Sequence, residues 1–125
     1  MQKLKTLDLT TKETWFWCHY QWRWIVWQVI KERLFVRPIV YTSAGIWKVR
    51  WRKKYTTFGS FEFWGNCFFC HAAQGGGNCK YCPAKIIDAS FTCNHTTYNY
   101  SKHPIRFYLK VRSMYREYLR RERRK

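Results

Sequence analysis

Two cysteine pairs, Cys67-Phe-Phe-Cys70 and Cys79-Lys-Tyr-Cys82, are separated by eight residues and form the stretch that best predicts the fold. Each Cys-x2-Cys pair can form a tight knuckle whose two thiolates bind one ion at about 2.3 Å. The glycine run at 75–77 lets the spacer double back, because glycine adopts positive φ without steric cost. The sequence therefore predicts a structural Zn2+ bound by all four cysteines, since four thiolates leave no open position for catalysis.

Other ligands and other cysteine chemistry stay open for this stretch. Cys93, His95 and His71 are near the knuckles in sequence, and any of them could replace one cysteine or hydrogen-bond to a ligand. Disulfides would require an oxidising compartment, whereas the first nine residues contain no apolar run typical of a signal peptide. Unbound thiols would not explain the repeated spacing. We therefore expect a cytoplasmic protein with a bound zinc ion.

Length and charge bound the possible functions. The chain has 125 residues, which predicts one domain over residues 1–125, with a loose lead-in over residues 1–10 and a basic tail over residues 119–125. The formal net charge is +17, and such a surface repels itself unless something acidic is close. Nucleic acid is the leading candidate partner, followed by an anionic membrane or an acidic protein surface. Only seven acidic residues are present, so carboxylate catalysis has few candidates.

A long aromatic helix is predicted from about residue 11 to about residue 33. Thr10 and Glu13 match a capping box, in which each side chain accepts from the backbone N–H of the other. Apolar residues then recur at steps of three and four: Trp15, Cys18, Trp22, Ile25 and Val29. A second aromatic run widens that face: Phe16, Tyr20, Trp24 and Trp27. Polar residues interrupt the run too often for a membrane span, so we expect a core helix, or one that meets a partner.

Residues 39–52 are predicted to form a β-hairpin. Its turn would fall at residues 42–45, and its second arm alternates aromatic or aliphatic residues with cations. One face would carry Trp47, Val49 and Trp51, and the other a ladder of Lys48, Arg50 and Arg52 that is extended by Lys53 and Lys54. An ordinary solvated sheet face would show the same alternation. A third strand is predicted over residues 58–64.

A second long helix is predicted from about Lys102 to about Glu122, with Ser101 as its N-cap and Pro104 in its first turn. Its apolar stripe would be Pro104, Phe107, Tyr108, Val111, Met114, Tyr115 and Tyr118. The opposite side is lined by Arg112, Arg116, Arg120 and Arg123. Because little acidic charge offsets them, these arginines and the ladder cations are the predicted polyanion contacts.

These segments together predict an α+β fold. A small antiparallel sheet, closed by the zinc knuckles in a zinc-ribbon or treble-clef-like arrangement, would be packed by the N-terminal aromatic helix and the C-terminal basic helix.

From Glu13 through the last helix, the layout resembles a group of small cysteine-rich bacteriophage proteins. In that group an aromatic N-terminal part precedes Cys-x2-Cys, a short spacer, Cys-x2-Cys-Pro, a further Cys and a helix rich in Tyr, Arg and Lys. The matching elements here are Cys67, Cys70, Cys79, Cys82-Pro83, Cys93 and the helix after Ser101. Phe68-Phe69 stands where a proline is common in the group. The resemblance implies a phage origin and an intracellular site of action, but no activity.

Binding to the phosphate backbone of DNA or RNA, without catalysis, is the function that the sequence favours. The alternative is a phage modulator or inhibitor that binds a host protein or nucleoprotein complex of the defence, transcription or nuclease machinery, because Trp, Tyr and Arg dominate interface hot spots. An enzyme is not expected. Asn94-His95 with His103 lacks the further metal ligands of a His-Asn-His nuclease, and no His-x-Glu precedes Cys79 as in a zinc deaminase.

Overall fold

The computed structural model describes residues 3–5, 9–35, 41–59, 68–69, 82–93 and 95–125. Within these residues the chain forms four helices: α1 (Thr11–Phe35), α2 (Ala44–Tyr55), α3 (Ala84–Ile87) and α4 (Pro104–Arg123). Helix accounts for 67% of this part of the chain, which contains no β-strand. The predicted α+β fold, with its small antiparallel sheet, is therefore wrong.

Helix α2 occupies the place of the predicted hairpin arm. Ser43 is its N-cap, and the Ser43 hydroxyl accepts from the Ile46 N–H at 3.2 Å. Apolar residues and cations alternate here over only about six residues. A pattern this short is compatible with a short helix as well as with a strand. The start of the predicted hairpin, residues 39–40, and residues 60–64 of the predicted third strand lie outside the described residues.

Helix α1 confirms the sequence prediction and continues two residues beyond it, to Phe35. The capping box is present: the Thr10 N–H donates to Glu13 Oε1 at 3.0 Å, and the Glu13 N–H donates to Thr10 Oγ1 at 3.1 Å. The hydrogen bond from the Thr10 N–H to the Glu13 carboxylate, and then hydrogen bonding between that carboxylate and the Thr10 side chain, lower the pKa of Glu13 below its ordinary value. The predicted apolar stripe is buried in full: Trp15, Cys18, Trp22, Ile25 and Val29.

Helix α4 is also confirmed, but it begins at Pro104, so that the N-cap is His103 and Ser101 precedes the helix. Asn99 organises the approach, because its Oδ1 accepts from the Ser101 N–H at 2.9 Å and from the Lys102 N–H at 3.1 Å. Proline fits the first helical position because its missing N–H would have no partner there. The buried side of α4 is made by Pro104, Phe107, Val111, Met114 and Tyr118.

The core is an aromatic cluster in which α1 contacts both α2 and α4. Towards α4, Trp15 stacks on Tyr118 with ring centroids 5.4 Å apart, and Trp22 lies 4.6 Å from Phe107. Towards α2, Trp17 meets Trp51 edge to face. Aromatic pairs in these arrangements stabilise the fold beyond the area that they bury. This packing fixes the outward faces of α1 and α4, which carry the candidate site.

Candidate nucleic-acid interface

The predicted zinc ligands lie mostly outside the described residues, which exclude Cys67, Cys70, Cys79 and the possible substitute His71. The fourth predicted ligand, Cys82, is 7% exposed and lies just before α3. In the described part of the chain, no three His, Cys, Asp or Glu side chains come together as a metal site requires. The zinc site therefore stays a prediction.

Cys93 and His95, the other possible substitutes, are half-buried. His95 Nδ1 accepts from the Thr97 N–H at 3.1 Å, and its ring is stacked on Tyr98 with centroids 4.2 Å apart. His95 therefore already takes part in the packing of the loop before α4.

The predicted basic ladder is divided by the helical geometry of α2. Lys48 and Arg52, one turn apart, are 9% and 8% exposed. Arg52 Nη1 donates to the Phe58 carbonyl at 2.6 Å, and Lys48 Nζ lies 4.3 Å from the centroid of the Tyr100 ring. These two cations therefore contribute to the interior, and little of either side chain is available to a ligand.

The other three cations of α2 are exposed: Arg50, Lys53 and Lys54. The Arg50 guanidinium lies 4.7 Å from the centroid of the Trp47 ring, and Lys54 Nζ lies 5.8 Å from that of Trp24 on α1. Cation–π contacts of this kind hold a positive charge beside an aromatic face while leaving it in solvent. The exposed side of α2 is therefore both basic and aromatic.

On α4, the four predicted arginines line one open groove of about 500 Å3, here called the arginine groove. Its lining is Leu109, Arg112, Ser113, Arg116, Glu117, Arg120 and Arg123. Glu117 is the one acidic residue of this lining, and it pairs with Arg120 and with Arg121, which lower the pKa of its carboxyl to about 2. The ion pairs of the described residues involve none of the other three arginines of the groove. Their charge is therefore available to an anion.

A second groove, of about 440 Å3, lies between α4 and α1 and is here called the histidine groove. It shares Arg112 and Arg116 with the arginine groove and adds His19 and Arg23 from α1. The Tyr108 hydroxyl lies 3.3 Å from His19 Nε2. Burial, and then the positive charges of Arg23, Arg112 and Arg116, lower the pKa of His19 below its ordinary value of 6.5. The lowered pKa therefore reflects the burial of the His19 ring first and the positive charges of the three neighbouring arginines second.

A third groove, of about 500 Å3, continues along α1 and is here called the tryptophan groove. It shares Arg23 and Tyr108 with the histidine groove. The remaining lining comes from α1: Tyr20, Trp24, Val26, Trp27 and Ile30. The sequence pattern placed these rings on the apolar face of α1, and it did not predict this groove. The available signal was the second aromatic run, which is offset around the helix from the buried stripe and has room for an exposed ring.

Comparison with known proteins gives no relative for this chain: no family model, no curated protein and no solved structure matches it. None of the helices in the described segments is long and apolar enough to cross a lipid bilayer.

Proposed function

We propose that this protein binds nucleic acid through the phosphate backbone, without catalysis, and that the arginine groove is its main contact surface. The observation that supports this best is that Arg112, Arg116, Arg120 and Arg123 line a single groove in a chain of net charge +17. Guanidinium groups bind phosphate oxygens in a bidentate manner, and each neutralised phosphate releases condensed counterions. The groove would therefore supply affinity that does not depend on base sequence.

The histidine groove extends this positive surface from α4 to α1. Arg23 faces the same space as Arg112 and Arg116, and no carboxylate is among its lining residues. A backbone that follows the two adjoining grooves would contact cations from two different helices. Such an arrangement goes beyond a single solvated helix face, which is the ordinary explanation for a run of charge.

A structural zinc ion bound by Cys67, Cys70, Cys79 and Cys82 is part of the proposal. Cys82 fits this role because its thiol is buried beside the aromatic core. The ion would supply folding free energy to the knuckles and would take no part in chemistry, since four thiolates close its coordination sphere.

The test is a comparison of binding by two triple variants. The first, Arg112→Ala/Arg116→Ala/Arg123→Ala, removes the three groove arginines that have no ion pair within the described residues. The second, Lys85→Ala/Lys102→Ala/Arg106→Ala, removes the same charge from residues outside the groove lining. Fluorescence anisotropy with a labelled oligonucleotide gives Kd for each protein across a series of salt concentrations. Circular dichroism checks that both variants keep the helical content of the parent chain.

The groove variant should bind far more weakly than the control variant at the same salt concentration. The negative slope of log K against log salt should become shallower by roughly 2 to 3 for the groove variant. Each lost phosphate contact reduces the size of that slope by about 0.7 to 0.9. Equal losses of affinity in the two variants would mean that net charge alone drives binding, and the proposed groove would then be wrong. Failure of the parent chain to bind nucleic acid would remove the proposal altogether.

A second candidate function is that of a modulator or inhibitor of a host protein or nucleoprotein complex, as expected if the chain is encoded by a phage. The specific observation in its favour is a pair of apolar side chains at the end of α1, Leu34 and Phe35, which are 70% and 80% exposed. Adjacent exposed apolar side chains form a patch that a protein partner could cover. A pull-down from host lysate with and without nuclease tests it, since a single protein retained stoichiometrically after nuclease treatment would favour this function over the first.

A further inference from the structure

We infer that the nucleic acid recognised by this protein is single-stranded, and that the indole of Trp27 stacks on one of its bases. This inference names the ligand class for the surface described above and rests on the proposed function.

The three grooves lie next to one another. Arg112 and Arg116 line both the arginine groove and the histidine groove, whereas Arg23 and Tyr108 line both the histidine groove and the tryptophan groove. A strand whose phosphates lie along the α4 arginines would therefore pass close to the rings of α1. Its backbone would meet cations first, and its bases would then meet aromatic faces.

The Trp27 side chain lies outside the buried core. Its side chain is 58% exposed, whereas Trp15, Trp22 and Trp51 are almost fully buried. An exposed indole presents a large flat aromatic face on which a planar ligand can stack. The neighbouring rings of Tyr20 and Trp24 are half-buried and line the same groove, so Trp27 stands at the edge of a wider aromatic surface.

The positive charge around the aromatic surface favours nucleic acid over a protein partner. Cations flank the aromatic surface on two sides. On the α4 side lie Arg23 and Arg112, and on the α2 side Lys54 Nζ is 5.8 Å from the centroid of the Trp24 ring. A strand that crosses α1 would thus find positive charge near its phosphates both before and after the stacked base. Alternating cations and flat rings are the features by which proteins bind single strands without reading their sequence.

A duplex does not match this surface as well. Its base faces are already covered by stacking within the helix, so Trp27 would have no π-face to contact. Only the arginine groove would then contribute, through phosphates alone. We therefore expect a preference for single strands over a duplex of the same length, and that preference should depend on the ring at position 27.

The experiment separates ring stacking from simple apolar contact at one exposed position. Trp27→Ala removes the ring, Trp27→Phe keeps a flat aromatic face, and Trp27→Leu keeps apolar area without one. Tyr41→Ala, which removes another exposed aromatic side chain outside the three grooves, is the matched control. Each protein is titrated by anisotropy against a labelled 12-nucleotide oligothymidylate and against a duplex of the same length.

Trp27→Ala should weaken single-strand binding roughly 5- to 150-fold, the range of stacking contributions measured by alanine substitution, and should leave duplex binding unchanged. Trp27→Leu should lose as much as Trp27→Ala, whereas Trp27→Phe should keep most of the affinity and Tyr41→Ala should change neither. Photo-crosslinking of an oligonucleotide that contains 5-iododeoxyuridine should map to the tryptophan groove.

Other outcomes overturn the inference and show which part has failed. If Trp27→Ala binds single strands like the parent chain while the arginine-groove variant is impaired, stacking is wrong and phosphate binding stands. If Trp27→Leu behaves like the parent chain, an apolar contact replaces stacking, and a protein becomes the better occupant of this face. If the parent chain binds neither strand nor duplex, the proposed function fails together with this inference.

Discussion

At the scale of single residues, the cations of this chain divide into two kinds. Arg52 is buried, and its hydrogen bond to the Phe58 carbonyl links α2 to the segment that follows. Arg116 is exposed and lines the histidine groove, where no carboxylate is among the lining residues. Sequence alone gives both residues the same charge. Their roles differ because the hydrogen bond to a buried carbonyl offsets the free-energy cost of removing the Arg52 guanidinium from water. The exposed Arg116 guanidinium stays hydrated unless an anion binds it.

His19 gives a pH-dependent prediction. Its pKa is lowered in the folded chain, so the folded state takes up a proton less readily than the unfolded state does. Stability should therefore fall as the pH decreases through 6.5, the ordinary value, and should stop falling below the folded-state pKa. Urea unfolding between pH 8 and pH 5 measures this.

The control for that prediction is His19→Gln, because three other histidines are present in the chain. The variant should show a shallower loss of stability over the same pH range. An unchanged profile would mean that another histidine causes the loss. Bound oligonucleotide should raise the pKa of His19, since phosphate offsets the field of Arg23, Arg112 and Arg116, so affinity should increase as the pH falls.

At the scale of elements, the two long helices could be predicted and the α2 segment could not. Helices α1 and α4 carry apolar residues at steps of three and four over more than four turns, and α1 also has a local capping signal at Thr10 and Glu13. Residues 44–55 offer a shorter pattern in which alternating cations and rings fit a strand as well as a helix. In the helix, neighbouring side chains point about 100° apart, so Trp51 packs against Trp17 while the next residue, Arg52, is also buried.

Gly45 distinguishes the two structures of this segment by experiment. In α2 it is the second helical residue, and a Cβ added there would meet only Ser43 Oγ, at 3.9 Å. Gly45→Ala should therefore stabilise the protein by about 0.4 to 1 kcal/mol, because alanine restricts the unfolded chain and fits the helix. Denaturant unfolding measures the change. Ser43→Ala should act in the opposite direction, by about 1 kcal/mol, through loss of the N-cap. A destabilised Gly45→Ala variant would instead agree with a glycine-dependent turn.

At the scale of the whole molecule, the net charge predicts an anionic partner, and the spacing of the four arginines predicts that they share one side of α4, where they line the arginine groove. The contribution of α1 to that surface could not be predicted. Grooves between helices depend on which faces pack together. Helix α1 carries both the apolar stripe and the second aromatic run, and the sequence does not show which of them stays at the surface until the contacts with α4 and α2 are known. Composition therefore predicts only the charge of the proposed ligand, whereas the proposal that the ligand is single-stranded depends on how the helices pack.

The predicted zinc site, if it binds an ion, would be coupled to that packing through the two phenylalanines between Cys67 and Cys70. Phe68 and Phe69 are almost fully buried, with ring centroids 5.4 Å from Trp51 and 4.8 Å from Trp15. Loss of the ion should free the knuckle and withdraw these rings from the core between α1 and α2. Chelation should therefore lower the thermal unfolding temperature and shift the tryptophan emission to longer wavelength, because the indoles become hydrated.

The predicted zinc site can be tested by measuring the metal content per chain in the parent protein and in two cysteine variants. Cys79→Ser should lose zinc and much of the cooperative unfolding transition, since three thiolates no longer close the coordination sphere. Cys18→Ala removes a cysteine buried within α1, and it should keep one zinc ion per chain despite a loss of packing. Equal metal content in the two variants, or a parent chain that is cooperatively folded without any metal, would contradict the site. The aromatic core would then hold residues 68–69 in place without help from an ion.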